Sequence, residues 1–456
     1  MTTLTHQLAT KILDIRFDAL PAAAIDIARQ VTLDGLAVML AGSTEPLGVG
    51  RISIEYVKAM GGAPHASVIA GGFKTSMPNA AYANGTMAHA LDFDNTWYPL
   101  NHPTSPTLPA ILAIAEHEGL SGRRVIEAIV AAFEVQGRLR LAATGMETGS
   151  GFHKPGMTGT FGAVAGAGHA LGLNHRQMLM ALGLAGSRAG SIALNTGTMT
   201  KSSHSGHAAR TGVECALLAR MGWTATADVF GPKGFFDTFY QGVGEPHRLI
   251  EGFASPLRMV DPGVGFKKHP SNYFTHRPID AALALRAEHG IDASQIEHVE
   301  VIFPRFEYVN RPFPETGLDG KFSVQYTAAI ALLDGEITVD SFNNARRFAP
   351  DVEALLKRVT LTTDDAIPKD FDRMYAIVKV TMKNGSQYSN KVERLSGWVG
   401  NPLTREQRLT KFHSCARRVL NPEDATRVVE LVERLDTLAT VNEIMDRVRT
   451  PTRTSL

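Results

Sequence analysis

The chain has 456 residues, and its 46 basic and 45 acidic residues give a net charge of +1. This balance provides no global field that would favour nucleic acid or an anionic membrane as a partner. The length exceeds one ordinary hydrophobic core and predicts two domains. No run of the sequence approaches the roughly 18 apolar residues that a membrane span requires, so we expect no membrane partner.

The N-terminal residues 1–6 lack the basic and apolar regions of a secretory signal peptide, which predicts a cytoplasmic location. The chain has two cysteines, Cys215 and Cys415, and each lies in an apolar helical run. This number and placement indicate neither a disulfide framework nor a zinc site built from cysteines.

The first half of the chain has the hydrophobic spacing of helices. Residues 20–40 carry apolar side chains at helical intervals, and Gly42 follows as a stop signal. Residues 109–118 and 206–221 predict further helices. Asn174, with Gln177 three residues later, predicts a capping box at the start of another.

The pattern changes near Pro262, where strand signals begin to alternate with helical ones. An Asn384–Gly385 pair predicts a hairpin turn between two of these strands. The predicted strands cover 296–303, 375–382 and 387–392, and the predicted helices cover 279–289 and 325–333. Residues 264–395 are therefore expected to form a separate α+β domain.

Helical signals return after this insert. Thr404 with Gln407 predicts a second capping box, and Asn421–Pro422 predicts a helix start. The simplest arrangement packs these helices back on the first domain. The predicted fold class is therefore mainly α, with a large helical domain from residues 1–263 and 396–456 and a smaller α+β domain from residues 264–395.

The most informative segment, residues 90–104, places polar groups among aromatic side chains. Asp92, Asp94, Thr96 and His102 lie beside Phe93, Trp97 and Tyr98. A polar group in such surroundings must be paired, because leaving it unpaired costs roughly 1–3 kcal/mol. The segment therefore predicts a functional site, although Asp94 also suits a role that only caps the turn.

Four further segments place polar groups among Gly, Pro and aromatic residues. They are 151–156, 196–207, 265–272, and 310–314 together with 322–326. If they converge, His102, His153, Lys201, Lys267 and Tyr326 face one site. Such a cluster suits a substrate with two or three carboxylates and acid/base chemistry at a carbon next to a carboxylate.

Some of the polar and glycine residues in these segments have simpler interpretations than a role in catalysis. Lys267 and Lys268 are adjacent, so in an extended segment only one of them faces the site. His204 and His207 have the spacing of a metal pair, but no third ligand lies nearby in the sequence, and we expect no metal. The glycines near Gly166 resemble a loose dinucleotide fingerprint without its preceding strand, which favours helix packing.

Together these segments resemble the MmgE/PrpD family, which includes 2-methylcitrate dehydratase, cis-aconitate decarboxylase and iminodisuccinate epimerase. The resemblance covers roughly residues 5–445. It depends on the order and spacing of a few short stretches. These are 91–97, His102–Pro103, 196–201, 234–236 and Phe266–Lys267.

The resemblance implies a helical domain with an α+β lid, a homodimer, and no cofactor or metal. It places the site between the helical domain and the lid. Carried over by position, the family's site residues fall on seven positions of this chain. They are Asp92, Thr96, His102, His153, Lys201, Lys267 and Tyr326.

One position departs from the pattern of the decarboxylases, which carry a histidine where this chain has Asn272. An asparagine cannot exchange protons near neutral pH. By overall likeness the sequence is expected to be an isomerase that epimerises iminodisuccinate. A hydro-lyase similar to 2-methylcitrate dehydratase and a carboxy-lyase similar to cis-aconitate decarboxylase are the alternatives.

Epimerisation requires one group to remove a proton and another to return it on the opposite face. Lys267 and His153 are the expected catalytic pair, and His102 is the catalytic alternative to His153. Lys201, His102 and Thr96 would hold substrate carboxylates, Asp92 would orient a neighbouring cation, and Tyr326 would donate a proton or contact a carboxylate. A non-catalytic carboxylate-binding protein is the rival from another class, but a binder needs cations and no paired acid/base groups.

Overall fold

The computed structural model describes residues 2–143 and 151–451 and shows a mainly α protein with a small α+β domain. The first helices are α1 (Leu4–Leu13), α2 (Ala22–Ser43), α3 (Val49–Met60), α4 (Met77–His89), α5 (Thr104–Glu118), α6 (Gly122–Ala142), α7 (Lys154–Ala170), α8 (His175–Arg188), α9 (Met199–Arg220) and α10 (Phe235–Tyr240). Two short strands, β1 (Ala66–Ser67) and β2 (Lys74–Thr75), pair antiparallel between α3 and α4.

The remaining elements belong to the α+β domain and to the C-terminal helices. The helices are α11 (Tyr273–His289), α12 (Gly317–Gly320), α13 (Val324–Asp334), α14 (Asn344–Arg347), α15 (Pro350–Leu356), α16 (Arg405–Ala416), α17 (Pro422–Glu433) and α18 (Asn442–Arg449). The strands are β3 (Ile296–Phe303), β4 (Val359–Thr363), β5 (Ala376–Met382) and β6 (Gln387–Val392).

Helices α4, α5, α7 and α9 pack against one another at the centre of the helical domain. Glycines allow this close approach. A Cβ atom on Gly206 of α9 would lie 2.1 Å from Oγ1 of Thr86 and 2.5 Å from the carbonyl oxygen of Tyr82, both on α4. Gly42 has the same role, because its Cβ would lie 2.0 Å from the carbonyl oxygen of Met87. The predicted stop at Gly42 is therefore a packing position inside α2.

The C-terminal helices α16 and α17 pack on α2, so both ends of the chain form the helical domain. Its apolar core is separate from a second core, which residues between Tyr273 and Trp398 build. The exact boundaries at 263/264 and 395/396 stay a prediction.

The second core lies beneath a four-stranded sheet of order β4-β3-β5-β6. β3 runs parallel to β4, with Val299 opposite Val359, and antiparallel to β5, with Val299 opposite Val380. β5 and β6 form the predicted hairpin. Helices α11 and α13 cover the sheet, and α11 begins directly after the segment that carries Lys267.

Three predicted helices begin earlier in the structure than the sequence indicated. α5 starts at Thr104, α9 at Met199 and α11 at Tyr273. Proline or polar residues in their first turns concealed these starts. The difference matters for the site, because Lys201 and His204 lie on helix α9 and not in a loop.

Within the part of the chain that the structure describes, no helix combines the length and apolar character needed to cross a membrane. Cys215 and Cys415 are both free and buried.

Candidate functional site

A cavity of about 220 Å³ lies where residues of the helical domain meet the segments around α11 and Tyr308. Its lining brings together most of the residues selected from the sequence. The lining residues are Thr96, Leu100, Asn101, His102, His153, Lys154, Pro155, Lys201, Lys267, Asn272, Tyr273, Phe274 and Tyr308. Asp92 lies directly behind the lining, in contact with both lysines.

Asp92 holds three basic groups of the site in place. Its Oδ1 atom lies 2.9 Å from Nζ of Lys201, 3.2 Å from Nζ of Lys267 and 3.4 Å from Nε2 of His102. Burial favours the neutral acid, but the two lysines and the histidines prevail and keep the pKa of Asp92 well below its ordinary value. Asp92 therefore carries its negative charge at neutral pH.

The backbone of Asp92 has a φ of +49°, which aspartate and asparagine tolerate better than most residues. Because of this turn, the carboxylate and the backbone carbonyl of Asp92 both face Lys267. Nζ of Lys267 donates to the carbonyl oxygen of Asp92 at 2.5 Å and to that of Ser271 at 3.1 Å.

Lys267 is only 1% exposed, and burial lowers the pKa of its ammonium group although Asp92 and Asp94 oppose the shift. A lysine in these surroundings changes its protonation state more readily than one in water, which suits acid/base chemistry. The neighbouring Lys268 is exposed and pairs with Asp280 at 2.9 Å. The sequence prediction that only one of these two lysines faces the site agrees with this geometry.

Asp94 is a second buried carboxylate and lies between two imidazole rings. Its Oδ1 is 3.0 Å from Nδ1 of His89, and its Oδ2 is 3.1 Å from Nδ1 of His102, although the latter contact lacks hydrogen-bond alignment. Burial opposes its charge, but His102 and His89 lower the pKa of Asp94 well below its ordinary value. Asp94 thus lies against Nδ1 of His102, while Asp92 lies against Nε2 of the same ring.

His89 was not selected from the sequence, because it looks like an ordinary residue at the end of an apolar helix. It is fully buried, and burial together with Lys201 lowers its pKa to about 4. Its ring therefore stays neutral near pH 7, and Nε2 has no partner among the described residues.

His153 precedes α7 and is fixed by contacts on both sides of its backbone. Its N–H donates to the carbonyl oxygen of Ser191 at 3.1 Å, and the Ser191 hydroxyl donates back to the carbonyl of His153 at 2.8 Å. The Nδ1 atom of the ring lies 3.0 Å from Nδ1 of His204. Burial, with Lys201 and the neighbouring histidines, lowers the pKa of His153 well below its ordinary value.

Thr96 links the segment 90–104 to the segment that carries Lys267. Its N–H donates to the carbonyl oxygen of Gly265 at 2.9 Å, and the N–H of Gly265 donates back at 2.7 Å. The buried Thr96 hydroxyl has no hydrogen-bond partner within the described residues. A buried polar atom of this kind at the wall of a cavity is available to a ligand.

Tyr326 does not reach the cavity. It is fully buried in the core of the α+β domain, and its hydroxyl donates to the carbonyl oxygen of Ser341 at 2.5 Å. Tyr308 lines the cavity in its place, and its hydroxyl oxygen accepts from Nδ2 of Asn272 at 3.3 Å. We therefore replace Tyr326 with Tyr308 as the candidate phenol.

Asn272 has a structural as well as a site role. Its side chain accepts from the N–H of Phe274 and caps α11, and its Nδ2 also lies 3.4 Å from Oδ2 of Asp92. An amide at this position can donate a hydrogen bond to a substrate oxygen but cannot transfer a proton.

Four side chains of the site offer ligand atoms within 4.8 Å of one another: His89, Asp92, Asp94 and His102. The number suits a divalent cation. Two ammonium groups, from Lys201 and Lys267, already contact Asp92 and would repel such an ion. The donor set therefore favours a network that binds carboxylates and moves protons. His204 and His207 do not form a pair, because one is buried against His153 and the other is exposed.

The geometry brings together six of the seven residues selected from the sequence, all except Tyr326. It adds Asp94, His89, His204 and Tyr308. The only signal for Asp94 was its place among aromatic residues. For the other three residues, nothing in local spacing showed which side of the element faces the site.

Comparison with known proteins agrees with this architecture. A family model described as the MmgE/PrpD N-terminal domain matches residues 6–245, and one described as the MmgE/PrpD C-terminal domain matches residues 269–437. The cis-aconitate decarboxylase of Homo sapiens is 32% identical over 452 residues, covering 96% of this chain and 93% of that protein.

More distant relatives include a second activity. The cis-aconitate decarboxylase of Aspergillus terreus is 28% identical and covers 96% of this chain and 94% of its own length. The 2-methylcitrate dehydratase of Escherichia coli strain K12 is 27% identical, covering 72% of this chain and 73% of its own. These relatives are lyases, so the expectation of an isomerase is wrong, and epimerisation of iminodisuccinate finds no support among them.

Proposed function

Because the chain belongs to the MmgE/PrpD family, we propose that it is a lyase of small polycarboxylates, with decarboxylation of cis-aconitate as the first candidate reaction. The observation that carries the proposal is the buried group of Lys201, Asp92 and Lys267 beside His102 and His153 in one cavity. The similarity to cis-aconitate decarboxylases over almost the whole chain supports the choice of reaction.

The charges of the site suit a substrate with several carboxylates. Lys201 and Lys267 supply two positive charges, and Asp92 is the one carboxylate among the described residues that pairs with both of them. A substrate carboxylate entering the cavity can therefore share these cations. The Thr96 hydroxyl and the Asn272 amide offer further polar contacts at the lining of the cavity.

Loss of CO2 leaves an electron pair on a carbon next to an unsaturated, carboxylate-bearing centre. Cations that are in place before the reaction stabilise this charge without having to reorganise as it develops. A proton must then be delivered to carbon. His153, which is neutral and lines the cavity, is the candidate donor, and Tyr308, which also lines the cavity, is the alternative donor. Lys267 would hold the developing enolate-like charge.

Dehydration of a 2-hydroxy tricarboxylate is the second candidate, and Asn272 is the observation that favours it. The family resemblance implies a histidine at this position in the decarboxylases, whereas the amide of Asn272 cannot supply a proton. Dehydration needs a base for the proton next to a carboxylate and an acid for the departing hydroxyl. Burial lowers the pKa of Lys267 and makes its neutral amine more accessible, so Lys267 in that form is the candidate base, and His102 is the candidate acid.

The two reactions separate in one experiment. The purified protein is incubated in heavy water with cis-aconitate, citrate and 2-methylcitrate, and products are followed by NMR and by CO2 release. Decarboxylation gives CO2 and deuterium at one carbon, while dehydration gives an alkene without CO2. Turnover of none of these acids would contradict the proposed function.

The matched control for the site is the pair Lys267→Met and Lys268→Met. Both remove one ammonium group from neighbouring positions, but only Lys267 faces the cavity. We expect a loss of kcat of about 10²- to 10³-fold for Lys267→Met, typical of removing a group that stabilises charge in the transition state. Lys268→Met should keep near-normal activity. Equal activity of the two variants would remove Lys267 from the mechanism.

The homodimer and the cytoplasmic location expected from the sequence complete the proposal. Sedimentation of the purified protein tests the first, and fractionation of cells that express it tests the second.

A further inference from the structure

His204 lies behind His153 and is not among the residues that line the cavity. The Nδ1 atoms of the two rings are 3.0 Å apart, and the ring centroids are 5.0 Å apart at an angle of 51°. His204 lies on α9, one turn after Lys201, and keeps 9% of its surface exposed. Among the described residues, none bonds its Nε2 atom. His204 therefore has one nitrogen on His153 and the other open to exchange.

Two imidazoles at this distance can share only one proton between their facing nitrogens. Burial and Lys201 lower the pKa of His204 to about 4, with a smaller contribution from His207. Burial, Lys201, His89, His204 and His102 lower the pKa of His153. Both rings are then neutral near pH 7, and they must hold opposite tautomers across the contact.

We propose that His204 is a positioning residue for His153 that sets its tautomer and connects it to solvent protons. The proposal rests on the proposed function, because it assigns His153 the proton donated to carbon. With Nδ1–H of His204 donating to Nδ1 of His153, the remaining nitrogen of His153, Nε2, carries a proton and is the one available to the cavity. Without His204, the ring of His153 is free to adopt either tautomer.

The proton transfer balances as a relay. The N–H bond at Nε2 of His153 breaks, and a C–H bond forms from the electron pair that the departing CO2 leaves on carbon. The proton on Nδ1 of His204 moves to Nδ1 of His153, and a solvent proton binds Nε2 of His204. Both rings stay neutral with their tautomers exchanged. After product release, water that enters the cavity returns a proton to Nε2 of His153. The proton on Nδ1 of His153 then moves back to Nδ1 of His204, Nε2 of His204 releases its proton to solvent, and both rings regain their starting tautomers.

The kinetic test compares three variants on the same helix. His204→Ala and His204→Gln should lower kcat by about 100-fold, at the low end of general acid/base effects, while KM changes less than about threefold. Added imidazole should restore part of the activity of His204→Ala but not of His204→Gln, whose side chain fills the space. His207→Gln, at an exposed position one turn further on α9, should have wild-type activity. Unchanged kcat in both His204 variants would overturn the relay.

A spectroscopic readout tests the tautomers without depending on turnover. In protein labelled with ¹⁵N-histidine, the ring nitrogens of His153 and His204 should show two neutral imidazoles with opposite tautomers at pH 7. Signals are assigned with the His153→Gln and His204→Gln variants, and in the latter His153 should become a mixture of tautomers. A charged ring or identical tautomers would overturn the proposal. Paired tautomers without turnover of any tested acid would instead contradict only the proposed function.

Discussion

Replacement of Asp92 by asparagine tests whether its carboxylate is the centre of the buried charge network. Asparagine keeps the size of the side chain and tolerates the φ of +49° at this position, so no backbone strain accompanies the change. The amide retains polar atoms but loses the charge that faces Lys201 and Lys267. The variant therefore isolates electrostatics from shape.

The expected loss of stability in Asp92→Asn follows from the two short contacts that Asp92 makes with Lys201 and Lys267. At 2.9 and 3.2 Å, and with an effective dielectric constant of about 20, each pair contributes on the order of 5 kcal/mol before desolvation. Removing one partner of a buried ion pair costs roughly 3–5 kcal/mol in practice. We expect Asp92→Asn to lower the free energy of unfolding at pH 7 by this amount.

The loss of unfolding free energy in Asp92→Asn should be smaller at higher pH. Burial lowers the pKa of Lys267 from its ordinary 10.5, and the shift grows when the opposing Asp92 charge is removed. The unfolded chain then binds more protons than the folded one between the two pKa values, so stability rises with pH there. The difference between variant and wild type should therefore be smaller at pH 9.5 than at pH 7.

Urea unfolding followed by tryptophan fluorescence measures both effects, because Trp97 and Trp398 are buried in the two different cores. Asp340→Asn is the control, since Asp340 is 60% exposed in its pair with Arg418, and such pairs contribute less than about 1 kcal/mol. If Asp92→Asn stays within about 0.5 kcal/mol of wild type at pH 7, the network does not carry the stability assigned to it.

Three further predictions use single contacts. The pKa of His89 is about 4 in the folded protein, against an ordinary 6.5. The free energy of unfolding of the wild type should therefore fall by up to roughly 3 kcal/mol as the pH drops from 6.5 to 4. In urea unfolding, His89→Gln should show a smaller loss of stability over this pH range. Tyr308→Phe should reduce kcat, because Tyr308 lines the cavity. Tyr326→Phe should keep its activity and lower the free energy of unfolding by about 1 kcal/mol, because it loses only the hydrogen bond to Ser341. If steady-state assays show the opposite, Tyr326 belongs to the site and Tyr308 does not. Gly206→Ala should destabilise by about 1–3 kcal/mol because its Cβ would lie 2.1 Å from a neighbouring atom, whereas Gly190→Ala, with nothing within 4 Å, should be nearly neutral in the same unfolding assay.

Much of the fold could be predicted from the sequence, because hydrophobic spacing and turn signals are local. The strands at 296–303 and 387–392 have the predicted limits, and the Asn384–Gly385 turn joins the last two strands. Helix starts were harder to place. At α9 and α11, first turns rich in polar or proline residues resemble loops, although tertiary packing holds them helical.

The same limit applies to the site. Asp92, His102, His153, Lys201 and Lys267 could be selected because each is a polar group in a segment of glycine, proline or aromatic residues. The role of Asp94 could not be separated from turn capping. Only its position between His89 and His102 in space shows that it is a site carboxylate.

The sequence alone determined the family, the two-domain composition and the presence of a cluster suited to carboxylates, because these depend on the order and type of residues. The tertiary structure decided which lysine of the adjacent pair faces the cavity, which tyrosine reaches it, and that His204 stands behind His153. These choices depend on how α9, α11 and the segment 90–104 meet. Contacts between residues far apart in the chain leave no periodic signal, so only the folded chain shows them.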